Sequence, residues 1–367
     1  REKIHSKKVL IIGGAGTIAS NYIKEILHFK PKKIVIVDTN ENGLTELARD
    51  LRSSHLLDYN PEFITYPINL LSNTFDKVFW SDDFDIISNF SAHKHVRSEK
   101  DIISIEALIK NNVYGAIKLL ELCSNRHPNF FFSVSTDKAA NPVNIMGASK
   151  SLMEKLIISK KNDFRVSTSR FANVAFSNGS LLDGFIYRIN KKQPLSCPVD
   201  IKRFFVSPKQ SGQICLIATF LGESGSIFFP KLDPLKHQIY FKDIALDFLE
   251  KNGFKPVLFY DEKGAKSFDI NENSNKYPIY LFKSDTSGEK SFEEFFTNKE
   301  KYHINDFKSL GYIESQDIKI SFDKLKKDFE SVFSNQSSSK KDLIKVIKKY
   351  ILEFNHIETG KNLDQKM

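Results

Sequence analysis

Between Lys8 and Asp38 the chain spells a strand, a glycine turn, a helix and a second strand, and this order limits its fold more than any other feature. Lys8 to Ile12 (KVLII) is a short apolar run that ends on Gly13-Gly14-Ala15-Gly16. Thr17 to Phe29 then carries Ile18, Tyr22, Ile23, Ile26 and Leu27 at helical spacing. Lys33 to Val37 (KIVIV) is a second buried strand, closed by Asp38. Two strands joined through a helix in about 30 residues form a βαβ unit, in which the strands run parallel and the crossover is right-handed. Continuous rather than alternating apolar residues imply a sheet covered on both faces.

The alternation continues. Glu62 to Tyr66, Ile86 to Phe90, Phe130 to Val134 and Arg165 to Phe171 read as strands, with helices expected at Ile105 to Cys123 and from about Ala148 to Ser159. The expected fold class is therefore α/β: a Rossmann-type doubly wound parallel sheet with a smaller C-terminal substrate-binding part. Residues 1–174 are expected to form the dinucleotide-binding domain. Residues 175–331 are expected to form the substrate-binding part, with interleaving into the sheet domain left open. Residues 332–367 read as a linker (FSNQSSSKK, Phe333 to Lys341) and an amphipathic helix, Asp342 to His356, with Leu343, Ile347, Ile351 and Leu352 on one side. That helix reads as a packing or dimer element, with membrane-surface binding as the alternative.

The glycine turn sits where a dinucleotide motif requires it, after a strand and opening a helix. Glycines allow the sharp turn and close approach of backbone to a pyrophosphate, and the helix start offers free N–H groups. Ala19 stands where a small residue permits helix–strand packing. Asp38, 22 positions after Gly16, can accept hydrogen bonds from ribose hydroxyls and would repel a 2′-phosphate, so NAD is favoured over NADP. The alternative reading of Asp38 is the start of a turn.

A second constellation follows the strand at Phe130 to Val134. In doubly wound sheets ligands sit beyond the carboxyl ends of strands, which places Thr136, Asp137 and Lys138 where chemistry is expected. An adjacent acid and amine offer a proton donor and a proton acceptor, provided burial and neighbouring charge move each toward neutrality. The plain alternative is an ordinary turn pair.

The stretch Ser135 to Lys150 (STDKAANPVNIMGASK) is similar to that of the extended short-chain dehydrogenase/reductases. Within them it resembles the nucleotide-sugar 4,6-dehydratases of bacterial polysaccharide and nonulosonate biosynthesis. Gly13 to Ala19, Ser91 to Val96, Asn112, Arg170 to Val174, Arg203-Phe204-Phe205 and Ser287-Gly288-Glu289-Lys290 share in the resemblance. One departure stands out: the usual Tyr-x-x-x-Lys pair is Met146-x-x-x-Lys150 here, and methionine cannot ionise or donate. A subset of these dehydratases carries Met there. The resemblance implies Thr136, Asp137, Lys138 and Lys150 as catalytic residues, with Met146 at the Tyr position. Thr136 and Lys138 are the candidates for the oxidation base. It implies Gly13, Ala15, Gly16, Thr17, Ile18, Asp38, Asn69, Ala92, Lys94 and Lys150 as cofactor contacts. Lys94, Asn173 and Arg203 are implied as substrate contacts, Arg203 through a guanidinium fork suited to a diphosphate. No catalysis is expected of His93 or His95. The implied activity is conversion of UDP- or GDP-linked N-acetylglucosamine to the 4-keto-6-deoxy sugar, with NAD as cofactor. Lys138 would abstract the C5 proton and Asp137 would protonate the departing C6 hydroxyl. A nucleotide-sugar 4-epimerase and a non-catalytic NAD-binding regulator are the alternatives.

Composition narrows the rest. The net charge of +9 comes from lysines scattered in pairs, such as Lys7-Lys8 and Lys160-Lys161, and not from one basic block before the C-terminus. It suits polyanionic partners (nucleic acid, a membrane surface or phosphorylated small molecules), yet the scatter reads first as a solvated lysine-rich surface, and without a recognised motif a nucleic-acid partner is not expected. Cys123, Cys197 and Cys215 show no CxxC spacing, so neither a disulfide framework nor a metal site is expected. With no signal peptide and no apolar run near the ~20 residues of a membrane span, the chain is expected to be cytoplasmic. It begins with Arg1, so residues may precede it. A homo-oligomer is expected from superfamily habit.

Overall fold

The computed structural model describes residues 1–271, 275–284 and 293–358; Ser287-Gly288-Glu289-Lys290 lies outside these. The elements begin β1 (Lys8–Ile12), α1 (Thr17–Leu27), β2 (Lys33–Asp38), α2 (Glu41–Arg52), β3 (Glu62–Pro67), α3 (Asn73–Trp80) and β4 (Ile86–Asn89). Next come α4 (Ile102–Ile109), α5 (Gly115–Arg126), β5 (Phe130–Val134), α6 (Ile145–Ile158), β6 (Val166–Ser169), β7 (Asn173–Val174), α7 (Leu181–Asn190), β8 (Leu195–Pro198) and β9 (Lys202–Val206). Then follow α8 (Pro208–Phe220), β10 (Ser226–Pro230), α9 (Pro234–His237), β11 (Gln238–Tyr240), α10 (Phe241–Lys251), β12 (Lys255–Phe259), α11 (Glu262–Ser267) and β13 (Lys276–Phe282). The last are β14 (Tyr302–His303), β15 (Leu310–Ile313), α12 (Phe322–Phe333) and α13 (Lys340–Tyr350).

Nine strands form one sheet in the order β14-β15-β10-β6-β5-β4-β1-β2-β3. Every pair from β10 to β3 is parallel, and β14 and β15 add an antiparallel edge. The strand order reverses between β1 and β4, which defines the crevice where such sheets take ligands. This is the Rossmann-type doubly wound sheet that the alternation predicts.

The chain divides into two compact units. The larger holds Arg1–Phe171, Lys209–Lys231 and Glu294–His356; the smaller is built mainly of Ala172–Pro208 and Leu232–Glu293. The sequence reading places one boundary at 174/175 and a separate segment from 332. The structure instead returns the chain to the larger unit twice. α12 and α13 belong to its core, where Leu325, Phe329, Val332, Leu343, Val346 and Ile347 pack with α4, α5 and α6. Each such side chain contributes about 1.5–3 kcal/mol of burial. In the smaller unit β8, β13 and β12 form a parallel sheet backed by α7 and α10 through Leu182, Phe185, Ala245 and Leu249, and β11-β9-β7 form a second sheet.

Three local expectations are corrected. The long helix expected from Ile105 to Cys123 is present and runs unbroken from Ile102 to Arg126, the correction being one wide turn inside it at Lys110–Tyr114. α6 starts at Ile145, three residues before the expected Ala148, because the Asn144 side chain accepts from the Gly147 N–H as its N-cap. The last helix ends at Tyr350 and not His356: Leu352 is 85% exposed, while Ile351 and Phe354 are buried by an extended strap. The helix starts at Lys340, inside the polar stretch expected to be linker, with a capping box between Ser339 and Asp342. Among the described residues no helix is long and apolar enough to cross a membrane.

Candidate active site

The glycine turn is shaped mainly by backbone. Gly13 adopts φ +76°, which only glycine takes freely, and a Cβ there would stand 2.5 Å from the Ser91 backbone nitrogen. Its N–H donates to Val37 O at 2.7 Å, fastening the turn to the end of β2. Asp38 accepts from the Ala15 N–H at 3.0 Å with one carboxylate oxygen and from the Asn40 N–H at 2.9 Å with the other. Each oxygen keeps a lone pair for a ribose hydroxyl. Gly16 caps α1 without a side-chain bond, so the first turn of α1 is not closed by a cap. Ala19 is fully buried. A turn closed to side chains, a helix start without a side-chain cap and a carboxylate at the neighbouring strand end together fit a dinucleotide.

The loop after β4 is held from a distance. The buried Asn112, in the wide turn between α4 and α5, accepts from the His93 N–H at 2.8 Å and donates to His93 O at 3.0 Å. The same amide donates to Ser149 Oγ on α6 at 2.9 Å. Ala92 is half-buried and Lys94 exposed at this loop. Asn69 is exposed beyond β3, where its side chain accepts from the Leu71 N–H.

Thr136, Asp137 and Lys138 come together at the carboxyl end of β5. Thr136 Oγ1 donates to Asp137 Oδ1 at 2.7 Å, and Lys138 Nζ lies 3.2 Å from the same oxygen. The Asp137 side chain is 5% exposed and that of Lys138 28%. The Asp137 N–H donates to Phe171 O, tying the turn to the end of β6. Below it a closed ionic group fixes the strand ends. Arg170 bonds Glu154 and Glu300 at 2.8 Å each, and Ser135 Oγ donates to Glu154 at 2.6 Å. Buried charges persist only when paired in this way.

Helix α6 lies against the turn. A Cβ on Gly147 would stand 2.4 Å from Lys138 O, so only glycine allows this approach. Lys150 is buried, donates to Val134 O at 3.0 Å, and is pushed down to about 8 by burial, with Glu154 opposing. Met146 is buried, and its N–H donates to Glu99 Oε1 at 2.9 Å.

In the smaller unit Asn173 donates to Glu293 Oε1 at 2.6 Å, and the Phe204 N–H donates to Glu293 Oε2 at 2.6 Å. Arg203 Nε lies 4.0 Å from the same buried carboxylate. Two of the three substrate residues implied by resemblance, Asn173 and Arg203, thus share one acid.

Sequence reasoning did not find Glu99, Ser149, Glu154, Glu293 or His356. Each acts through a partner far along the chain, and none carries a local pattern. Only the odd position of a carboxylate among apolar neighbours, as at Glu154 in SLMEKLII, could have marked one.

A family model described as polysaccharide biosynthesis protein matches residues 9–315. An uncharacterized membrane protein of Methanocaldococcus jannaschii, MJ1061, is 30% identical over 83% of this chain and 84% of its own. A UDP-N-acetylglucosamine 4,6-dehydratase (inverting) of Campylobacter jejuni is 29% identical over 63% of this chain and 69% of its own. A UDP-glucose 4-epimerase of Rickettsia bellii is 26% identical over 89% and 98%. The chain spans about half the length of the Staphylococcus aureus capsular polysaccharide biosynthesis protein CapD, at 25% identity over 82% of this chain and 49% of that one. Among solved structures, Pen from Bacillus thuringiensis superposes with TM-score 0.69 at 20% identity, covering 96% of this chain and 99% of that one. DesIV, a dTDP-glucose 4,6-dehydratase from Streptomyces venezuelae with NAD bound, does so with TM-score 0.58 at 16% identity, covering 80% and 91%. With its Rossmann-type sheet and a family match over most of its length, the chain belongs to the polysaccharide biosynthesis protein family, within the extended short-chain dehydrogenase/reductases and alongside nucleotide-sugar dehydratases and epimerases.

Proposed function

We propose that the chain is an NAD-dependent nucleotide-sugar 4,6-dehydratase acting on UDP- or GDP-linked N-acetylglucosamine. The observation that carries this reading is the hydroxyl–acid–amine contact of Thr136, Asp137 and Lys138 at the end of β5. The glycine turn, Asp38 and Lys150 would hold NAD, with Ala92, Lys94 and Asn69 along its path. Asn173 and Arg203 would hold the substrate. When bound, the cofactor supplies reversible hydride exchange, from sugar C4 and back to C6.

The chain's own residues handle the protons. Met146 cannot take the C4 hydroxyl proton. Thr136 Oγ1 takes it while handing its own proton to Asp137 Oδ1 along their 2.7 Å bond. Asp137, now a carboxylic acid, gives that proton to the C6 hydroxyl as it leaves as water. Lys138 takes the C5 proton, made acidic by the C4 ketone, and returns it to C5 once C6 has been reduced. The scheme requires Lys138 as the neutral amine at its start; from that state Asp137 ends as a carboxylate and Lys138 as an amine, so one water is lost and every proton is accounted for. Thr136→Ser should keep this relay and Thr136→Val should break it.

The likeness to the Rickettsia epimerase favours a second reading, 4-epimerisation, in which hydride returns to C4 and no water leaves. Mass spectrometry of products from UDP- and GDP-N-acetylglucosamine separates the two. A product lighter by one water supports dehydration, and an isobaric epimer overturns it.

A further inference from the structure

Residues 351–356 lie beyond the stretch matched by the family model, yet they reach the catalytic helix. After α13 the chain runs on as a strap with Ile351 and Phe354 buried in the larger unit's core. The Asn355 N–H donates to Pro142 O at 3.2 Å, on the connection between Lys138 and α6. His356 Nε2 lies 3.4 Å from Glu99 Oε2, both side chains being under a tenth exposed. The other oxygen of Glu99 accepts from the Met146 N–H, and Lys340 Nζ donates to Glu99 O at 3.2 Å. Glu99 thus grips the first turn of α6, where a carboxylate also complements the helix start. The next residue, Gly147, abuts the carbonyl of Lys138. Contacts therefore run without a gap from the C-terminal strap, through Glu99 and the first turn of α6, to the acid–amine pair.

We infer that Glu99 is a positioning residue for the Asp137–Lys138 pair, and that the C-terminal strap seats Glu99 through His356. The inference rests on the proposed dehydratase reading. Glu99 touches no reacting atom in this scheme. It fixes where the first turn of α6 stands, and so where the Lys138 backbone stands. Small displacements of reacting groups cost rate more than ground-state binding, and about 1 Å can cost on the order of 100-fold.

The test compares Glu99→Ala, Glu99→Gln and His356→Ala in the full chain loaded with NAD. Bound NAD, KM for the nucleotide sugar, kcat and product mass are measured for each. The expected result for Glu99→Ala is a kcat lowered about 10- to 100-fold, with KM and NAD content held near those of the unaltered protein. Glu99→Gln, whose amide oxygen still accepts the Met146 N–H, should recover most of kcat. His356→Ala should lower kcat by less. A folded Glu99→Ala protein with unchanged kcat overturns the inference, as does a loss confined to NAD content or KM. Should Glu99→Ala fail to fold, His356→Gln takes its place: lowered kcat with KM and NAD content held supports the inference, and unchanged kcat overturns it. Product mass from the unaltered protein judges the dehydratase reading separately. If an epimer forms, the same kcat ratios on that product still judge Glu99.

Discussion

The glycine turn after β1 and the Thr136–Lys138 turn after β5 lie at the carboxyl ends of strands with only β4 between them, yet they are held in different ways. The first is fixed by backbone shape, with Gly13 at positive φ and main-chain bonds to β2. Asp38, from the neighbouring strand, adds a side-chain bond to it. The second is fixed by buried polar side chains. Lys150 sits under Val134, Glu154 and Arg170 brace Ser135, and Glu99 and Asn112 hold α6 and the His93 loop. A surface meant for a generic anion needs only oriented N–H groups. A surface meant to move protons needs side chains fixed to a fraction of an ångström.

If that contrast holds, removing a chemical group from the Thr136–Lys138 turn should have the largest effect and leave the cofactor in place. Lys138→Ala is expected to lower kcat by about 10²- to 10⁴-fold while the purified protein still carries NAD, read by absorbance after denaturation. Turnover near that of the unaltered protein would remove Lys138 from the mechanism and the contrast with it.

The next effect is on stability. Lys150 is pushed down to about 8 by burial, whereas in the unfolded chain it titrates near its ordinary 10.5. Below about pH 8 both states hold the proton, and the buried ammonium weakens the fold. Between about 8 and 10.5 the unfolded chain binds more protons, so the free energy of unfolding should rise with pH, by on the order of 3 kcal/mol over the window. Lys150→Met should flatten that rise in urea unfolding of the cofactor-free protein. An equal slope in both proteins would mean that Lys150 is not the buried cation.

Gly13→Ala tests the other turn. A Cβ at φ +76° costs about 1–2 kcal/mol in backbone strain alone, and it would also meet the Ser91 backbone. NAD should be lost on purification. Unlike Lys138→Ala, the damage should appear in cofactor content first and in turnover only as a consequence.

The same contrast explains what could be read from sequence. β1, the glycine turn, α1, β2 and Asp38 are legible because each constraint falls within a short window. Thr136, Asp137 and Lys138 are legible as a triplet after an apolar strand. The grip on them is not, since Glu99 meets Met146 across 47 positions and His356 meets Glu99 across 257. The wide turn at Lys110–Tyr114 is hidden inside a good helical pattern, because apolar periodicity does not show that Asn112 must turn inward. The strap was read as helix because Ile351 and Leu352 extend the periodicity; packing of Phe354 won instead. In the smaller unit, KPVLF and KYPIYLF are short and interrupted by proline, so their parallel pairing was not visible.

Gly147 is where the contrast can be sharpened, because it brings a glycine, the device of the first turn, into the second. Its backbone is helical, so alanine there carries no φ penalty and on propensity alone would favour α6 by about 1 kcal/mol. The obstacle is contact: the added methyl would stand 2.4 Å from Lys138 O, a backbone atom that cannot rotate away. Either α6 or the Thr136–Lys138 turn must shift by several tenths of an ångström. Glu99, Asn112 and the Asn144 cap all hold the start of α6, so the turn is the part expected to yield. Gly147→Ala should therefore lower kcat by about tenfold with NAD content and thermal midpoint nearly unchanged. A protein that loses NAD instead would show that α6 moved and carried Lys150 with it, and the catalytic turn would then be the more rigid of the two. A protein with unaltered kcat would show that the turn tolerates displacement, and that the polar network around it serves stability alone.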